Sequence, residues 1–320
     1  MSSPILFCHY GNSGYLKFTL RAAKLFNPSK RIILLGDDAN RATSLDEGTE
    51  HFPFKDLRSA ELDEFEKVYR HVAGDKHGKE FWTNFVFKRW FYVHAFLKAQ
   101  NIHAFWHFDS DNILLTDLGR QENKFNTYDC TEQCSGGCMN GFIASFDVVE
   151  GYVKKINELF RDQQYLQKQQ DDFAEHAHFA FTEMRAYQAY REQQHIRSIR
   201  LSSVIEGETF DDCICQQDDM ETYEKPLKGQ YLKKLFYTRE GFFYCRNSAT
   251  HECIKMNSLN MSWVPTYLYT LILSKAKTSV NKIAPARVGE EDLQLLDIYS
   301  EPLSCRFSNF AQRVKNKLFS

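Results

Sequence analysis

What most constrains the fold is an alternation of strand-like and helix-like segments at the start of the chain. Residues 5–8 are apolar and strand-like and run into His9-Tyr10-Gly11-Asn12-Ser13-Gly14. Leu16, Leu20, Ala23 and Phe26 then fall at helical spacing, Asn27-Pro28 stops that helix, and residues 31–37 read as a second strand. Two strands joined through a helix favour parallel pairing. The expected class is therefore α/β, with a mixed, mostly parallel sheet flanked by helices.

The same reading extends along the chain. A short strand is expected near residues 51–54, a helix over 57–71 and a mobile loop over 74–78. Residues 81–100 form a long helix candidate, with Phe85, Trp90, Val93, Phe96 and Leu97 as its apolar stripe. Gly136-Gly137-Cys138-Met139-Asn140-Gly141-Phe142 reads as a glycine-rich turn entering a strand. Two polar helical segments follow over 148–169 and 172–194, and short strands are expected at 241–246 and 252–256. No internal repeat is visible, and no linker divides the chain before about Lys275. Residues 1–275 are thus expected to form one domain and 276–320 a helical C-terminal extension.

The chemistry is expected at Phe105-Trp106-His107-Phe108-Asp109-Ser110-Asp111, an apolar run ending in two carboxylates. Strand side chains alternate faces, so Asp109 and Asp111 share a face at the strand's end. Two like charges held together call for a cation or hydrogen-bond donors. Hard cations such as Mg²⁺ or Mn²⁺ take oxygen ligands and usually sit between carboxylates and substrate phosphates. In an open α/β sheet, ligands bind beyond the carboxyl ends of the strands, which is also where the His9 to Asn12 loop lies.

Composition removes other classes. A chain of 320 residues with 43% hydrophobic and 26% charged residues can bury a substantial core. Its 40 basic and 42 acidic residues leave no general basic footprint for nucleic acid. No apolar h-region of a signal peptide follows Met1, and the apolar stretch from Tyr267 to Leu273 is too short to span a bilayer. Cys130, Cys134 and Cys138 recur at four-residue intervals, but Gly136-Gly137 argues against a helical metal face. Reduced thiols in a cytoplasmic protein are the better reading of the nine cysteines. Residues 306–320 carry Arg306, Arg313, Lys315 and Lys317 with no acid, and Phe307, Phe310 and Val314 at helical spacing. A docked helix with its basic face outward is expected there, with peripheral membrane contact as the alternative.

Taken together, the strand ending in Asp109-Ser110-Asp111, the later Asn140-Gly141-Phe142 strand and the segment from Lys255 to Trp263 resemble the metal-dependent nucleotide-sugar glycosyltransferases of the GT-A fold. The resemblance covers about residues 5–264, by order of elements. It implies a Rossmann-like sheet, a UDP- or GDP-sugar donor, and Mn²⁺ or Mg²⁺ on the donor diphosphate. It implies that Asp111 is the firmer metal ligand, that Asp109 serves metal or ribose, and that His9, Tyr10 and Asn12 contact the nucleoside. It places Arg89, with Lys88, over the diphosphate, Asn140 on a sugar hydroxyl, and Glu183 facing the reaction centre. Read from the residues alone, Lys88 and Arg89 are equally consistent with solvated helix charges, and an exposed helical Glu is the default reading of Glu183. In one respect the chain departs from the family: Asn260 stands where a histidine would be the third protein ligand, and an amide oxygen is a weaker ligand. His107 is a conceivable substitute, or a histidine satisfied within the core.

These readings converge on transfer of a sugar from a nucleoside diphosphate to a hydroxyl of a glycan, lipid or protein, with retention implied by the resemblance. A non-catalytic GT-A-fold nucleotide- or glycan-binding protein is the alternative. A nucleotidyltransferase is disfavoured, because His9 to Gly14 lacks the basic residue such a loop would carry.

Overall fold

The structure is a computed structural model and describes residues 3–285 and 288–300. Segment 306–320, expected to form the basic C-terminal helix, lies outside the described residues. The chain divides into two compact units, each assembled from separated stretches. Unit 1 takes Met1–Asn12, Pro28–Ser110 and Leu118–Ser203, and unit 2 takes Ser13–Asn27, Asp111–Asp117 and the chain from Val204 onward. Residues 1–275 therefore draw on both.

In chain order the elements are β1 (Ile5–Cys8), α1 (Leu16–Phe26), β2 (Ile32–Gly36), α2 (Arg41–Asp46), β3 (Glu50–Pro53), α3 (Ala60–Val68), α4 (Glu80–Gln100), β4 (Phe105–Asp109) and β5 (Asn112–Leu114). They continue with β6 (Cys130–Gln133), β7 (Cys138–Ile143), α5 (Phe146–Arg161), α6 (Gln163–Glu175), α7 (Glu183–Gln194) and β8 (Ser198–Arg200).

Unit 1 is built on a sheet of order β3-β2-β1-β4-β7-β6-β8. β7 runs antiparallel to both of its neighbours and every other pairing is parallel, so the expected mixed, mostly parallel α/β sheet is present. β1 and β2 are buried throughout, which is why they read as unbroken apolar runs. Leu6, Ile33, Phe105 and Ile143 join Phe65, Phe87, Phe91, Tyr152 and Phe160 from α3, α4 and α5 in one core. The alternate positions Phe7, Leu34, Trp106 and Phe108 point to the other face and are buried as well. α4 is apolar on nearly every side, as a helix embedded in a core must be.

Local chemistry shifts three expected boundaries. The helix expected over 57–71 starts only at Ala60, because Ser59 Oγ accepts the Leu62 amide at 3.1 Å and caps it. The helix expected over 148–169 breaks at Asp162, whose carboxylate accepts the amides of Gln164 and Tyr165 at 3.0 Å and starts α6. The helix expected over 172–194 is interrupted because Ala180 bridges Ala73 and the Phe181 amide donates to Val72 O at 2.8 Å. Those bonds also tie down the loop expected to be mobile: the Gly74 amide donates to Phe179 O at 2.9 Å and that of Lys76 to Ala177 O at 3.0 Å.

Unit 2 holds α1 and β5 together with β9 (Glu208–Thr209), β10 (Phe236–Tyr237), β11 (Phe243–Arg246), β12 (Cys253–Met256), β13 (Ser258–Asn260), α8 (Thr266–Ala276) and β14 (Gln294–Leu295). One sheet has the order β14-β10-β11-β12-β9, and β13 pairs antiparallel with β5. Ala22 and Phe26 of α1, Ile113 of β5 and Tyr269 and Ile272 of α8 share its core. Lys233 is buried between Asp211 at 2.6 Å and Asp218 at 2.7 Å. Charges removed from water in this way persist only when paired.

Candidate functional site

In unit 1 the carboxyl end of β4 carries a buried cluster of charge. β4 lies between β1 and β7, with Cys8 opposite Asp109 and Gly141 opposite His107. Arg89 of α4 reaches this end and divides its guanidinium between two acids, Asp109 at 2.5 Å and Glu183 at 2.9 Å. Arg89 and Glu183 are 9% and 5% exposed, so neither is the solvated helix charge that the residues alone allowed. Burial works against the charge on Arg89, but Asp109 and Glu183 overcome it and raise its pKa. Burial likewise works against ionised Asp109, yet Arg89, His107 and a bond from Asn140 hold its pKa below the usual carboxylate value. At Glu183 burial prevails over the pull of Arg89 and the pKa is raised. Glu183 Oε2 and Arg89 Nε have no hydrogen-bond partner among the described residues.

Asn140 locks into this cluster from β7. Its Nδ2 donates to Asp109 at 3.2 Å and to Gln133 Oε1 at 3.3 Å, and its Oδ1 accepts from His107 Nδ1 at 2.9 Å. Burial, reinforced by Arg89, lowers His107 to about 4, so its ring is neutral near pH 7. The structure thus makes His107 a core histidine bonded to Asn140.

The loop after β1 is braced by residues the motif reading passed over. The Gly11 amide, at φ +75°, donates to Asp37 Oδ2 at 2.7 Å, and Asn40 Nδ2 donates to His9 O at 2.8 Å and Gly11 O at 2.9 Å. Asn12 accepts from Thr43 Oγ1 at 3.1 Å. His9 is buried, within 2.7 Å of Ser110 Oγ, and burial lowers it to about 4 against the pull of Asp37. Tyr10 is 53% exposed and packs edge-on against Phe81, with ring centroids 4.9 Å apart. It forms one wall of a cleft of about 520 Å³ whose lining combines Phe54, Phe81, Phe85 and Tyr92 with Asp37, Asp38, Lys55, Arg58 and Lys88. An apolar, aromatic pocket with a few charged groups suits a flat ring bearing polar substituents. Lys88 also pairs with Glu66 at 2.8 Å.

The division between the units falls between Ser110 and Asp111, so Asp111 and Asn260 belong to unit 2. There Ser262 Oγ lies 2.8 Å from Asp111 Oδ2 and 2.7 Å from Asn260 Oδ1, and the Ser262 amide donates to Asn260 Oδ1 at 3.1 Å. A hydroxyl has one proton, so Ser262 can satisfy only one of those two oxygens at a time. Asn260 is buried; its Nδ2 donates to Asp212 O at 2.9 Å and its amide to Asp211 Oδ2 at 3.0 Å. These contacts point its carbonyl oxygen at Ser262. Asp111, Asn260 and Ser262 present hard oxygen donors, and that chemistry fits Mg²⁺ or Mn²⁺. Among the described residues, however, no group of three or more His, Cys, Asp or Glu could hold a metal ion. An ion at this cluster would need ligands from a substrate. Ser262 was invisible to the motif reading because a serine two residues past Asn260 has no signature of its own.

No family model matches the chain, and no curated protein matches it. Among solved structures it is similar to a cytidylyltransferase from Leptospira borgpetersenii serovar Hardjo-bovis, at 12% identity over 62% of this chain and 75% of that one, with a TM-score of 0.35. It is also similar to the PaToxG glycosyltransferase, at 11% identity over 54% of this chain and 68% of that one, with a TM-score of 0.30. Likeness of this extent carries no argument about activity, which has to be read from the residues.

Proposed function

We propose that the chain is a GT-A-type glycosyltransferase that moves a sugar from a nucleoside diphosphate to a hydroxyl acceptor. The observation that carries this reading is the Arg89 guanidinium held between Asp109 and Glu183 at the carboxyl end of β4. A buried cation flanked by two acids and an amide offers donors and acceptors in the alternation that sugar hydroxyls require. Tyr10 would receive the nucleoside at the aromatic cleft, with His9 and Asn12 on the same loop. Glu183, its pKa raised by burial, would orient the acceptor or stabilise positive charge at the anomeric carbon, and Asn140 would hold a sugar hydroxyl. A divalent ion, when bound, neutralises the leaving diphosphate as a Lewis acid. Asp111, with Ser262 and Asn260, would contribute its protein oxygens.

Titrating UDP and GDP with and without Mn²⁺ while following the unfolding temperature tests this reading. Stabilisation by one nucleotide that is strengthened by Mn²⁺ and loses the Mn²⁺ increment in Asp111→Ala is the expected result. Absence of any response to either nucleotide would sink the proposal. Release of UDP or GDP from a panel of nucleotide sugars then separates an enzyme from a protein that only binds.

A further inference from the structure

Cys134 and Cys138 bracket the tip of the hairpin joining β6 and β7, where their side chains interact. The backbone holds them there. Gln133 and Cys138 are cross-strand partners, and the Gly136 amide donates to Gln133 O at 3.1 Å. The turn so closed has Cys134 at φ +53° and Ser135 at φ +57° as its central residues. Two successive left-handed positions match the twist of a hairpin but strain residues other than glycine. The Gly137 amide donates to Cys134 O at 3.0 Å, and a Cβ on Gly137 would come within 2.5 Å of Met184 Cε. The tip therefore seats against the first turn of α7, where Glu183 partners Arg89. Cys134 is half-buried, whereas Cys138 is buried.

We infer that Cys134 and Cys138 are a redox-active pair that closes a reversible disulfide across the hairpin tip when a small disulfide such as glutathione disulfide is the oxidant. The Cys134 thiolate attacks one glutathione sulfur; the bond between the two glutathione sulfurs breaks and one glutathione leaves. Cys138 then attacks Cys134 Sγ, its proton is lost, the mixed disulfide breaks and the second glutathione leaves. The protein gives up two electrons and two thiol protons, and one glutathione disulfide becomes two glutathiones. Cys134, the more accessible sulfur, initiates, and the buried Cys138 resolves. A disulfide closed over a strained turn should be easily reduced again.

The test is to equilibrate the full chain in native glutathione buffers of graded composition, trap free thiols by alkylation under denaturing conditions, and map the peptides by mass spectrometry. The tryptic peptide 125–154 also contains Cys130, so fragmentation must assign the pair. The expected result is a Cys134–Cys138 cross-link that appears as the buffer becomes oxidising and disappears with dithiothreitol. In Cys134→Ser, Cys138 should stay alkylatable throughout. The inference is overturned if both thiols are alkylated at the oxidising limit, or if Cys134 accumulates as a glutathione adduct with Cys138 still free. It is also overturned if the only cross-link formed joins Cys213 to Cys215, whose side chains also interact.

Discussion

Arg89 is the residue on which the unit 1 cluster depends. Removing its charge leaves Asp109 and Glu183 facing each other with no cation, and an uncompensated buried charge costs about 3–5 kcal/mol. Arg89→Met is expected to lower the urea midpoint by an equivalent amount, and adding Glu183→Gln should recover part of the loss. Equal midpoints for Arg89→Met and wild type would show that the pair is not formed in solution. His9 and His107 give a second residue-scale expectation. Both are lowered from 6.5 to about 4 by burial, so the unfolded chain binds their protons more tightly than the folded one. Their contribution is complete above pH 6.5 and is lost as the pH falls toward 4. The loss reaches on the order of 3 kcal/mol for each. Urea midpoints measured between pH 7 and pH 4.5 should show this decline, and His107→Gln should flatten it.

At the scale of elements, the junction of β6 and β7 is the most demanding. Thr131 Oγ1 donates to Asn140 O at 2.6 Å and accepts the Phe142 amide at 2.8 Å, bridging the irregular pairing around Gly141. Gly141 has φ +94°, and a Cβ there would lie 2.2 Å from Thr131 Oγ1 and 2.9 Å from Leu201. Gly141→Ala must strain the backbone and displace Thr131, costing about 2 kcal/mol or more. Circular dichroism during urea unfolding would detect the loss, and a midpoint equal to wild type would show that the strands can yield. What was legible in the sequence divides by element in the same way. β1, β2, β4 and α4 announce themselves, because burial on every side demands runs of apolar residues. Asp162 and the Ala73–Ala180 bridge do not, since a single cap or one isolated pairing overrides helical periodicity without leaving a pattern. The resemblance singled out Glu183, but its burial was not readable. It depends on Arg89 and on Tyr152, whose hydroxyl donates to Glu183 O at 2.6 Å. Asp37, Asn40 and Ser262 are ordinary loop residues until the fold brings their partners to them.

At the scale of the molecule, neither unit is a continuous piece of chain. A fragment ending at Ser203 retains α1 and β5 but lacks β13 and α8, the elements they pack with. Hydrogen exchange should therefore find the β5 amides protected in the full chain and unprotected in the fragment. Protection in the fragment would show that the β5–β13 pairing is dispensable.

The stacking of Tyr15 on Tyr269, with centroids 5.3 Å apart, has a consequence for biosynthesis. α1 is made before β5, with which it packs, and long before α8, whose Tyr269 and Ile272 complete the core around Ala22 and Phe26. Until then the α8 side of this apolar helix stays uncovered, and such intervals are when nascent chains aggregate or recruit chaperones. A product that stops short of α8 would thus leave this face of α1 exposed.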